Sequence, residues 1–257
     1  MAQWRMWDDD LEALRPEARA AVEQGMPAIA AMLGRDLDPP ADPVARARQS
    51  RERYAQGYSP SPLVTARTIA GVPCRVFVPD GPARAVYLHF HGGGMVTGAP
   101  EMNDLGNVML GQAFSMAVVS VDYRLAPEHP WPAGPDDGVA VAAWLGEHGA
   151  AEFGTDRLVL GGESAGGYMA AAVLLRMRDE LGLVDRVLGA NLVFGVYDWG
   201  RSPSQRGVRP HEGPDVLDPE GIEWFADCYL PGRTDDERRD PAISPAFVAL
   251  SGLAPAL

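Results

Sequence analysis

The sequence predicts an α/β protein: a mostly parallel central sheet flanked by helices, with helices alone at its N-terminal end. Nearly continuous apolar runs, "RAVYLHF" (84–90), "AVVSVDYR" (117–124) and "RLVLGG" (157–162), mark strands covered on both faces. Helical stretches near 101–115, 133–148 and 165–180 separate or follow them, the βαβα alternation a parallel sheet requires. At 257 residues and 46% hydrophobic content, the chain is long enough for one large domain with a small cap.

The elements follow in order. Residues 8–33 carry helical spacing (Leu11, Leu14, Ala18, Val22, Met26, Ile29, Leu33) behind an acidic helix start at Asp8–Asp10. "DPPADP" breaks that helix, and 43–56 is a second, arginine-rich one. "TARTIAG" and "VPCRVFVPD" read as two short strands joined by a glycine turn. After the three buried strands, "GANLVFGVYD" (189–198) reads as another strand, followed by a polar, proline-rich stretch and a short helix around "DPEGIEWFADCYL". The expected division is a helical cap at 1–56 and a core at 57–257, with 199–230 a candidate contributor to the cap.

The bulk properties exclude several roles. A net charge of −13 argues against nucleic acid, whose phosphates need clustered cations. No run reaches the roughly 18 apolar residues of a membrane span, and the N-terminus has no apolar signal region, so the expected location is cytoplasmic. All 22 cations are arginine, a codon-composition signature of a GC-rich source. Cys74 and Cys228 match no metal or redox spacing and are expected to be reduced structural thiols.

Gly162-Glu163-Ser164-Ala165-Gly166 fits G-x-S-x-G between a strand and a helix, the setting of a nucleophile elbow. Upstream, a strand runs into His91-Gly92-Gly93-Gly94. Acyl transfer places negative charge on a carbonyl oxygen, and a glycine loop can bring backbone N–H donors to it unobstructed. The Ala165 amide, at the positive end of the next helix, would supply another donor.

Four blocks, "HGGG", "DYRLAPEHPWPAGPDD" (122–137), "GESAGG" and "SPAFVALSGLAPAL" (244–257), stand in the order found in hormone-sensitive-lipase-like esterases. From about residue 50 onward the sequence resembles that family of the α/β-hydrolase fold. The resemblance implies a serine esterase acting on short acyl chains of small-molecule esters. It implies Ser164 as nucleophile, Gly92, Gly93 and Ala165 as the oxyanion hole, and N-terminal helices capping the acyl pocket. It implies no cofactor and no metal.

Ser164 also needs a base and an acid to orient it. In this fold they follow the serine, and the resemblance places the acid just after the strand that "PAL" begins and the histidine beyond it. Neither motif occurs before Leu257, so the expectation is a chain lacking the C-terminal strands and nearly inactive alone. An internal substitute, Asp198 with His211, is a weaker alternative, since His211 sits in a proline-rich excursion. A second functional class is a non-catalytic hydrolase-fold protein that binds a small molecule without turning it over.

Other features have plainer readings. His89-x-His91 lacks a third ligand nearby and reads as strand packing and loop shaping rather than metal binding. Glu163 is expected to buttress the elbow, held by backbone or an arginine. Asp136 and Asp137 are expected to start or cap the helix after Pro135. Trp4 and Trp7 read as core packing.

Overall fold

The computed structural model describes residues 13–21, 23–25, 40–202, 207 and 219–256. Residues 13–21 and 23–25 are helical. The expectations for Trp4, Trp7, Asp8–Asp10 and His211 lie outside the described residues.

Helix α1 (Pro43–Gln56) begins where "DP" predicts: the Asp42 carboxylate accepts from the Ala45 amide, and Pro43 needs no donor in the first turn. Strands β1 (Thr65–Ile69) and β2 (Val72–Phe77) form an antiparallel hairpin, closed by Ala70 and Gly71 at φ 51° and 81°. Two positive-φ residues between paired strands match the strand twist.

Four parallel strands follow: β3 (Ala85–Phe90), β4 (Met116–Val121), β5 (Leu158–Glu163) and β6 (Val187–Val193). Their crossovers carry α2 (Asp104–Phe114), α3 (Ala133–Phe153) and α4 (Ala165–Arg176). The sheet order is β1-β2-β4-β3-β5-β6. The chain steps from β3 outward to β4, then crosses back over β3 to β5. The carboxyl ends of β3 and β5 therefore flank the point where strand order reverses, the place where open α/β sheets form a crevice.

All six residues of β3 are buried, and Leu88 and Phe90 are fully so. Each such side chain contributes about 1.5–3 kcal/mol of apolar burial. The run Ala165–Leu175 of α4 is buried throughout, which its apolar composition on every face requires. Two further helices, α5 (Pro219–Tyr229) and the single turn α6 (Asp235–Arg238), complete the described elements. Among the described residues no helix is long and apolar enough to cross a membrane.

Two expectations need correction. Strand β6 ends at Val193 rather than running to Asp198, because Phe194 turns into the left-handed region at φ 41°. Helix α3 starts at Ala133, so Asp136 falls in its first turn as expected, but neither it nor Asp137 caps it. Asp137 instead accepts from the Arg124 backbone amide and pairs with its guanidinium, while Asp136 pairs with Arg176. Cys74 and Cys228 are buried and unbridged, and burial pushes their thiols up to about 12 and 11.

Candidate active site

Ser164 sits between β5 and α4 at φ 55° and ψ −117°, a conformation a residue with a side chain adopts only under constraint. Its amide donates to the Val193 carbonyl (2.9 Å), and its carbonyl accepts from the Tyr168 amide (3.1 Å). The neighbouring glycines explain how so sharp a turn fits. A Cβ on either Gly162 or Gly166 would collide with the Phe90 carbonyl oxygen at the end of β3. Glycine here lets the β3 backbone pass directly against the elbow.

The loop after β3 closes the other side. A Cβ built on Gly92 would stand 3.0 Å from the Glu163 carbonyl oxygen and 3.7 Å from the Ser164 Cβ. Gly93 and Gly94 have φ 124° and 62°, and Met95 and Gly98 continue the left-handed run at 65° and 87°. The loop recloses on itself: the Val96 and Thr97 amides both donate to the Gly93 carbonyl, at 3.1 and 2.8 Å. Thus Gly92 lies against the Ser164 turn, with Gly93 and Ala165 next to them along the chain. Phe225 of α5 lies over Gly94, where a Cβ would meet its ring at 2.5 Å.

Residues 87–257 match the family model of the α/β hydrolase fold. The chain is an α/β hydrolase. It is 34% identical over 227 residues to carboxylesterase NlhH of Mycobacterium tuberculosis, a match covering 83% of this chain and 69% of that protein. It is 35% identical over 193 residues to carboxylic ester hydrolase LipN of the same organism, covering 72% and 50%. A solved structure of the hyperthermophilic esterase of the archaeon Pyrobaculum calidifontis superposes with a TM-score of 0.77 at 29% identity, covering 92% and 77%. The hydrolase belongs to the hormone-sensitive-lipase-like esterases, as its four motif blocks imply. It spans between about half and two thirds of the length of NlhH and LipN.

Two buried histidines of the hydrolase lie beside this turn. His91 is fully buried, donates from Nδ1 to the Gly92 carbonyl (2.8 Å) and stacks on Tyr123 with centroids 4.3 Å apart. Burial pushes its imidazole down to about 4, although the Gly92 carbonyl favours the charged form. Its Nε2 has no partner among the described residues. The Tyr123 hydroxyl donates to the His91 carbonyl (2.7 Å). His89 is held at Nδ1 by Ser120 (2.8 Å) and Asn107 (3.3 Å), and at Nε2 it faces the Glu163 carboxylate (3.4 Å). A carboxylate only accepts, so Nε2 carries the proton.

Glu163 is therefore held by His89 and Asn103 (3.2 Å), not by an arginine. Burial alone would raise its carboxyl; these donors hold it below the usual value. Asp198 accepts from the Gly200 amide (2.8 Å) and faces Arg239 (3.7 Å). No described residue hydrogen-bonds Ser164 Oγ. Sequence reasoning overlooked Asn103, Asn107 and Tyr123. Tyr123 stands inside the "DYR" block, but nothing in a sequence signals that an asparagine one crossover away will steady an elbow glutamate.

Proposed function

We propose that this hydrolase is a carboxylic ester hydrolase acting on short-chain acyl esters through an acyl-enzyme on Ser164. The observation that supports it is the close approach of the Gly92 backbone, at the head of the glycine loop, to the Glu163–Ser164 turn. The Oγ–carbon bond would form as the carbonyl electrons move onto oxygen. The N–H groups of Gly92, Gly93 and Ala165 would hold that oxyanion at the amino end of α4. Collapse would expel the alcohol with a proton, and water would then release the acid by the same route.

Ser164 must lose a proton for this, and no described residue hydrogen-bonds its Oγ to take it. His91 is unsuited to the task, being sealed under Tyr123 with Nδ1 engaged. A 257-residue polypeptide with no base at Ser164 Oγ, as among the described residues, should retain only the donor-dependent part of catalysis. That is about a thousandfold over water, roughly a millionfold below a complete triad.

The test is p-nitrophenyl butyrate hydrolysis by that polypeptide, with Ser164→Ala and Gly93→Ala beside it. The expectation is a slow rate above buffer that falls about a hundredfold in Gly93→Ala. Ordinary esterase rates abolished by Ser164→Ala would refute the lack of a base at Ser164. Saturable ester binding at the buffer rate would instead favour the non-catalytic binding protein.

A further inference from the structure

We propose that Arg51 and Tyr54 of α1 are positioning residues that clasp the 93–97 turn and so set the aim of its backbone donors. This rests on the esterase reading of that turn. The turn is not self-sufficient. Met95 holds φ 65°, a left-handed conformation that costs a side-chain-bearing residue free energy and persists only where surroundings impose it. Met95 and Val96 are buried, so the imposing contacts come from protein.

Arg51 supplies them from another part of the chain. Its Nε donates to the Val96 carbonyl (2.7 Å) and its Nη2 to the Ala126 carbonyl (2.7 Å). The Ala126 amide in turn donates to the Met95 carbonyl (2.9 Å). The guanidinium thus closes a ring through Val96, Met95 and Ala126. Its remaining fork is fixed by the Glu128 carboxylate, at 2.9 Å from Nη1 and 2.8 Å from Nη2. The planar donor fork is what this geometry uses, and a lysine ammonium cannot reproduce it.

One helical turn along, Tyr54 faces the same turn. Its ring comes beside Thr97, whose Oγ1 donates to the Gly93 carbonyl (3.0 Å). That carbonyl belongs to Gly93, whose own N–H is one of the proposed donors, so the clasp reaches the donor strip. Residues 51 and 54 share a face of α1 at i, i+3 spacing. Ala47 is the helix's one buried residue, and Arg46 attaches it further by stacking over Trp224 (4.2 Å).

The experiment uses the 257-residue chain, with Arg51→Met, Arg51→Lys and Tyr54→Phe. Two readouts are taken: steady-state hydrolysis of p-nitrophenyl butyrate, and amide hydrogen exchange resolved at residues 93–97. In Arg51→Met the Val96 and Thr97 amides should exchange about tenfold faster or more, while those of β3 and α4 hold their wild-type rates. The kcat should fall about tenfold to a hundredfold with KM changed by less than about twofold. Arg51→Lys should fold and stay slow. Tyr54→Phe, which removes one hydroxyl, should give a severalfold loss of the same kind even where Arg51→Met fails to fold.

A wild-type rate in Arg51→Lys, or unchanged exchange at 96 and 97 in folded variants, overturns the clasp. So does acceleration spread evenly over the protein with no separate fall in kcat. If wild type does not exceed buffer, the esterase reading fails, and the exchange pattern alone decides whether the turn is clasped.

Discussion

The carboxyl ends of β3 and β5 and the carboxyl end of β6 stand side by side in one sheet, yet they are built by opposite means. At β3 and β5 the strands are buried, and backbone meets backbone through Gly162 and Gly166 with no room for a methyl group. At β6 most positions are half-buried, Leu188 and Phe194 are 46% and 76% exposed, and Asp198 is steadied by an amide and an arginine. Along its outer edge the described contact is a single bridge, Ala190 to Ala256. Presenting a nucleophile and aiming backbone donors is a task for main chain, and main chain is fixed most firmly by close packing. The first region can therefore be unforgiving while the second tolerates change.

The largest effect expected from that difference is at Gly166. An added Cβ would overlap the Phe90 carbonyl oxygen and approach the Phe90 carbon and His91 oxygen to 2.7 and 2.9 Å. All three are backbone atoms, so no side chain can swing aside. Gly166→Ala should lose at least about 3 kcal/mol in urea unfolding. Gly182→Ala, at φ 63° with no neighbour within 4 Å, should lose only about 1 kcal/mol from backbone strain. Similar losses in the two variants would break the claim that packing distinguishes the elbow.

A second effect, of comparable size, appears only with acid. The His91 imidazole sits near 4 in the folded protein because it is buried, against an ordinary 6.5. Below 6.5 the unfolded chain takes up a proton that the folded one refuses, so stability present above 6.5 is lost as the pH falls toward 4. The loss is about 3 kcal/mol, complete by about pH 4. Unfolding free energies between pH 7 and 4 should slope accordingly in wild type and be flatter by that amount in His91→Asn. An unchanged slope would mean that the loop after β3 is less sealed than the stacking of Tyr123 on His91 implies.

The same contrast explains what the sequence could and could not reveal. Glycine beside serine, and glycine after a strand, are direct traces of backbone proximity, so Gly92, Gly93, Ser164 and Ala165 could be grouped before any coordinates. The strands were legible because burial on both faces leaves uninterrupted apolar runs. Strand β6 was overextended because "GANLVFGVYD" keeps its apolar character past Val193, and only the dihedral of Phe194 reveals the turn. Side-chain partnerships leave no such trace. The expectation for Glu163 is the backbone or an arginine; His89 and Asn103 join a backbone bond in holding it, and no arginine does. Arg51 could not be told from its neighbours in an arginine-rich helix, because its role depends on a carbonyl 45 residues away.

The smallest expected effect lies at Phe194, and it tests the tolerant side of the comparison. Its φ of 41° costs a phenylalanine about 1 kcal/mol that glycine would not incur. Glycine in turn adds roughly 0.5–1 kcal/mol of chain entropy to the unfolded state, which nearly offsets that relief. With 76% of the residue exposed, little apolar burial is lost. Phe194→Gly should therefore move stability by no more than about 0.5 kcal/mol, a Tm change within about 2 °C. A loss of several kcal/mol would show the ring pressed into a packed setting. The end of β6 would then be as tightly determined as the elbow, and the division between a main-chain half and a side-chain half of the crevice would collapse.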